Sequence, residues 1–172
     1  MTLREATPDD IEAIREVARR SWGADYPAIV SRETVTDRVD EWYASDHLAD
    51  DVGRPRALVL VADAGDDGVV GFSHAVLSGD AGHILRLYVD PDHRGQGVGG
   101  DLLEATRDEL FDRGAEQVQA MVLAANEPGN EFYRAYGFEQ TGEGTTTIAG
   151  EPHPENTYTL AKEAVSERTR TA

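Results

Sequence analysis

The segment LRLYVDPDHRGQGVGGDLL, residues 85–103, constrains this chain more than any other stretch. An apolar run ends at Val89. Asp90-Pro91 then stops its ladder, because proline has no N–H to donate. RGQGVGG follows and leads straight into a helix, with Val98, Leu102, Thr106 and Leu110 on one face. Glycines let the backbone approach a ligand closely and let successive N–H groups point into one concavity. The start of a helix adds the positive end of its dipole. Strand, loop and helix together read as a diphosphate cradle, with Arg94 as a nearby cation. Two other phosphate motifs do not fit. There is no GxxxxGK[ST], so this is not a P-loop. The loop also follows several strands, whereas a dinucleotide-binding unit places its glycines after the first.

The flanking sequence supplies the remaining elements. Residues 3–6 read as a short strand. Thr7-Pro8-Asp9-Asp10 reads as a helix start, with a capping threonine, an early proline and two acids. Ile11, Ile14, Ala18 and Trp22 recur at helical spacing, and residues 23–27 are expected to break that helix. A second helix is expected over 32–44, with Val35, Val39 and Trp42 on one face, followed by a loop at 50–55. Strands are expected at 57–62, 69–77, 84–89 and 118–123. The turn AGDDG joins the first two of these. Arg113-Gly114 ends the glycine-led helix, a short helix is expected at 131–136, and a final hairpin begins at Phe138. Hairpins imply antiparallel pairing and the later β-α-β unit a parallel pair. The fold class is therefore α/β of the mixed α+β kind: a mixed, mostly antiparallel sheet with helices on both faces. Residues 1–163 read as a single domain and 164–172 as a polar tail.

Composition narrows the function. At 172 residues and 40% hydrophobic, the chain suits one globular domain. It has no cysteine, so disulfides, thiolate metal sites and a cysteine acyl intermediate are excluded. The five histidines show no paired ligand spacing, and no metal is expected. Acidic residues number 33 against 16 basic ones, for a net charge of −17, and Lys162 is the sole lysine. Spread along the whole chain, these acids read first as a surface solvated in high salt, as in a halophile. The other reading is attraction of cationic partners. Nucleic acid is not expected, for want of a basic patch. The apolar runs are too short to span a bilayer and no leader is visible, so a cytoplasmic location is expected.

At this point the chain resembles the GNAT superfamily of N-acetyltransferases. LYVDPDHRGQGVGGDLL is similar to that family's acetyl-CoA-binding segment, whose [QR]-x-x-G-x-[GA] core is matched by Arg94, Gly97 and Gly99. NEPGNEFYRAYGF, residues 126–138, supplies a second match through Asn126, Tyr133, Gly137 and Phe138. LREATPDDIEAIREVA resembles the family's first strand and helix. The resemblance implies a V-shaped splay in the sheet that admits the pantetheine arm. That arm would lie against the backbone of Leu87, Tyr88 and Val89. The diphosphate would fall to Arg94, Gly95, Gln96, Gly97, Val98, Gly99 and Gly100, and Asn126 would contact the cofactor arm.

The resemblance also implies acetyl transfer from acetyl-CoA to a primary amine by direct attack. Tyr133 takes the general-acid position, since a phenol can protonate the departing thiolate. Many relatives carry a glutamate base where this chain has His83. Histidine is a base near neutral pH, so His83 is the first candidate and His74 the second. The missing glutamate keeps a non-catalytic acyl-CoA sensor as the alternative. The acceptor would lie near Trp22, Tyr26, Trp42, Tyr43 and the Glu151-Pro152-His153-Pro154 stretch, and its identity is open: a small-molecule amine, a protein N-terminus or a lysine. A homodimer through the late strands is also compatible with the resemblance.

Overall fold

A computed structural model describes residues 1–25, 57–148 and 151–163. The expected helix at 32–44, the loop at 50–55, Tyr26, Trp42, Tyr43 and the tail 164–172 lie outside the described residues, as does the side chain of Trp22. In chain order, the described elements are β1 (Thr2–Glu5), α1 (Ile11–Asp25), β2 (Ala57–Asp63), β3 (Val69–Ser78), β4 (Ala81–Val89), α2 (Val98–Asp112), β5 (Gln117–Leu123), α3 (Glu127–Ala135), β6 (Glu139–Ile148) and β7 (Glu151–Ala161). The seven strands form one sheet in the order β1-β2-β3-β4-β5-β7-β6. β1 pairs antiparallel with β2, β4 runs parallel to β5, and β7 is antiparallel to both β5 and β6. The sheet is mixed and mostly antiparallel, as the element order implied.

Two compact units are distinguished. The first comprises Met1–Ala75 and Arg86–Thr106. Its β2 is a continuous buried run from Ala57 to Ala62, as a strand covered on both faces requires. On α1 the buried stripe is Ile14, Val17, Ala18 and Ser21. Arg4 ties the unit's edge together. It forks onto both oxygens of Asp10 (2.8 and 3.0 Å) and reaches Asp63 at 3.1 Å. Asp10 also accepts the Thr7 N–H at 2.8 Å, closing the helix start. This bidentate guanidinium holds the Asp10 carboxyl down to about 2. A Cβ on Gly71 would meet the Tyr88 carbonyl oxygen at 3.2 Å and Leu102 at 3.0 Å, so glycine lets α2 sit close on β3. Beneath it, the buried Thr106 hydroxyl donates to the Leu102 carbonyl and accepts from Ser73, both at 2.6 Å.

The second unit comprises Val76–Leu85 and Arg107–Ala172. Val118, Ala120, Tyr158 and Leu160 are buried on one sheet face. The end of α2 is a glycine cap: Ala115 N–H donates to Leu110 O and Gly114 N–H to Phe111 O, with Gly114 at φ +108°.

Boundaries differ from the sequence reading at β4, which begins at Ala81 rather than 84, and at α3. α1 is described to Asp25, inside the stretch 23–27 where its break is expected, and it passes Gly23 because one glycine near a helix end costs only about 1 kcal/mol. α3 begins at Glu127 rather than 131. Asn126 caps it, with its side chain accepting the Gly129 N–H at 3.2 Å, and Pro128 suits the first turn.

Candidate active site

In the first unit, β4 leads to Asp90, whose N–H still bonds Val70 O at 2.8 Å. Its side chain then accepts the Asp92 N–H at 2.9 Å and starts a single 3-10 turn over Pro91–His93. Arg20 on α1 pairs with Asp90 at 3.2 Å and also with Asp92. These two acids beside the loop are thus partly neutralised. Arg94 folds back: its Nε donates to Val89 O at 3.3 Å, and Nη2 approaches Ser21 Oγ at 3.5 Å. Ser21 itself donates to Val89 O at 2.9 Å.

Gly95 and Gly97 stand at φ +78° and +84°, a region that side chains rarely enter, and nothing lies within 4 Å of where a Cβ would be. Conformation, not crowding by the protein, requires glycine here. The first helical bond of α2 runs from Asp101 N to Gly97 O. The N–H groups of Val98, Gly99 and Gly100 therefore precede the helix ladder and gather at its positive end. Arg94, Gly95, Gln96 and Gly97 are exposed beside them. An exposed backbone concavity with the positive end of a helix suits an anionic phosphate group.

The second unit carries candidate residues of its own. The β4–β5 ladder runs from Ala81↔Gln117 to Ile84↔Ala120. It ends there, although β4 itself runs on to Val89 and β5 to Leu123. His83 lies within the ladder, half-buried and level with Gln119. His74, in β3 of the first unit, is buried at 4% exposure.

Tyr133 on α3 is buried at 8% exposure. Its ring meets Phe132 and Phe138 edge-on and lies nearly parallel to Tyr158 with centroids 6.0 Å apart. The residue that fixes this helix is one that the sequence reading passed over. Asn130, 3% exposed, donates to Leu123 O (3.0 Å) and Asn126 O (2.6 Å) and accepts from Asn156 (2.9 Å) and Tyr158 (2.6 Å). One buried amide thus joins the end of β5, the cap of α3 and strand β7. Its sequence signal was there: Asn126 and Asn130 stand one helical turn apart on the same face.

Element order, sheet and glycine-led helix start together define an acyltransferase fold of the acetyltransferase type. The family model for the acetyltransferase (GNAT) domain matches residues 55–140, and this chain belongs to that family: it is an N-acetyltransferase. A spermidine N(1)-acetyltransferase of Thermoplasma acidophilum is 26% identical over 80% of this chain and 87% of its own length. A mycothiol acetyltransferase of Clavibacter michiganensis subsp. michiganensis is 36% identical over 80% of this chain, which spans only 42% of that protein. Among solved structures, the PaiA N-acetyltransferase of Thermoplasma acidophilum in complex with coenzyme A superposes with a TM-score of 0.77 at 26% identity, covering 91% of this chain and 98% of its own.

Proposed function

We propose that this protein moves the acetyl group of acetyl-CoA onto a primary amine by direct attack, with residues 1–163 acting as one catalytic domain. The observation that carries this reading is the cradle of N–H groups at Val98, Gly99 and Gly100, reached through the positive-φ glycines 95 and 97. It offers donors and a dipole to a diphosphate without any lysine. The solved relative with coenzyme A supports the same ligand. Leu87, Tyr88 and Val89 follow the end of the ladder, and their backbone groups would take the pantetheine arm. Asn126 accepts the Gly129 N–H at the start of α3, which holds its side chain where it would contact the arm. Arg94, steadied on Val89 O and next to the loop, adds positive charge.

The thioester supplies an activated acyl group. The protein's part is to move two protons. The acceptor ammonium must lose one before its lone pair attacks, and the departing thiolate must gain one. His83 is the base this reading favours over His74, because it is half-buried on a face shared with exposed side chains while His74 is closed in. Tyr133 is the acid, and Asn130 and the rings of Phe132, Phe138 and Tyr158 set its position.

The test is calorimetric titration of acetyl-CoA and CoA in high-KCl buffer, with thiol release measured against a panel of amines. Binding with thiol release on one class of amine is the expected result. Binding without turnover on any amine would favour a sensor instead, and a folded protein that binds neither would end the reading. The acidic, lysine-poor composition makes high salt the natural buffer. A sharp unfolding transition unaltered by KCl would sink the halophile interpretation.

A further inference from the structure

One sheet face of the second unit lies opposite α3. Val118, Ala120 and Val122 alternate with Gln117, Gln119 and Met121 along β5, and Tyr158 and Asn156, which meet Asn130, fix the α3 side. The other side therefore carries Met121 level with Thr157, and Leu123 level with Glu155. Across β7, the partners of Thr157 and Glu155 on β6 are Gly142 and Gly144. Two glycines on the same face of one strand weaken it, and such positions mark a bulge or the close approach of a ligand. The bulge accounts for Gly142, since the register shifts between Gln140 and Gly142. It does not account for Gly144, where a Cβ would find nothing within 4 Å.

This strip has a consistent chemistry. Glu155 is half-buried, and its carboxylate makes no ion pair or hydrogen bond among the described residues. Desolvation raises its pKa, as for a carboxylate whose cation is missing. His153, two residues along the same face, has an Nε2 closed off from solvent and without a hydrogen-bond partner among the described residues. Buried polar atoms are normally paired, so an orphan points to an absent partner. Met121 is 60% exposed and Leu85, alternating onto the same face as His83, is 48% exposed. Large exposed apolar side chains beside a lone carboxylate suit a ligand with a charged head and an apolar stem.

We propose that this strip is the acceptor channel: Glu155 receives a primary ammonium whose unbranched polymethylene stem lies along Gly142 and Gly144 against Met121. Two side chains are missing from β6, so the strand surface beside Glu155 is open and a stem can lie flat along it. A free diamine and a lysine side chain share this chemistry. An N-terminal amine, with a branched carbon next to nitrogen, does not. The inference rests on the acetyl-transfer reading above.

The test compares wild type, Glu155→Gln and Gly144→Val in thiol-release kinetics. The acceptors are 1,5-diaminopentane, Nα-acetyl-lysine methylamide and an alanyl peptide, with CoA affinity measured alongside. Valine at an exposed strand position favours the fold, so Gly144→Val tests the channel independently of Glu155. Both variants should raise KM for the preferred amine about ten- to hundredfold, the scale of a lost charged hydrogen bond, while CoA affinity stays level. The better of the two stem-bearing probes identifies the source. KM unmoved by either substitution, or preference for the alanyl peptide, overturns the channel while leaving acetyl transfer intact. Wild type that binds CoA but turns over no amine overturns both.

Discussion

The two units present their candidate residues in opposite ways. The cradle of the first unit is backbone: three N–H groups at a helix start and two glycines whose φ angles no other residue adopts easily. The second unit's contribution is a network of side chains, with Asn130 holding four hydrogen bonds among β5, α3 and β7. A backbone site tolerates most changes except to its glycines. A buried side-chain network depends on one residue, because its removal strips a partner from every group it joins and leaves the buried Tyr158 hydroxyl unpaired.

The substitution that should hurt most is therefore Asn130→Ala. It orphans the Tyr158 hydroxyl and takes one partner each from the Leu123 carbonyl and the Asn156 NH2 group, and should destabilise the fold by about 3 kcal/mol in urea unfolding. A loss below about 1 kcal/mol would mean that the network is decoration and the contrast between the units fails. Next, Tyr133→Phe keeps the ring packing and removes only the hydroxyl. It should lower kcat about a hundredfold with CoA affinity unchanged, and unaltered kcat would take the acid role away from it.

The third effect is in the first unit. Asp10 is held down to about 2 by Arg4, below its ordinary value near 3.8. A depressed acid stabilises the fold above its unfolded pKa and loses that contribution as pH falls. The pair should add about 1–2 kcal/mol at pH 7, discounted for the partly exposed Arg4, and this should vanish between about pH 4 and pH 2. Asp10→Asn should flatten that stretch of the stability curve, and a curve identical to wild type would remove the pair from the account. Smallest of all in stability, Gly97→Ala should cost about 1 kcal/mol from its left-handed φ. Its sharper readout is binding: CoA affinity should fall while Asn130→Ala, where it still folds, binds CoA more nearly as wild type does.

The difference between the units also explains what could be read before any coordinates. Glycines at fixed spacing after an apolar strand declare a backbone conformation, because only glycine enters positive φ freely. Residues 94–100 and the helix after them were legible for that reason, as were the order of strands and helices and the buried face of α2 at Val98, Leu102, Thr106 and Leu110. The start of α3 was missed because a capping asparagine looks like any turn asparagine.

Side-chain partnerships between distant segments leave no such local mark. Nothing in the order of residues says that Asn130 meets Tyr158 across 28 positions, or that Glu155 faces a glycine on a neighbouring strand. Those pairings follow from strand register, and register is settled by the packing of the whole sheet face. Local backbone geometry thus belonged to the chain's own letters. The choice of which polar groups share a buried hydrogen bond, and which carboxylate is left without a cation, came only when the strands were laid side by side.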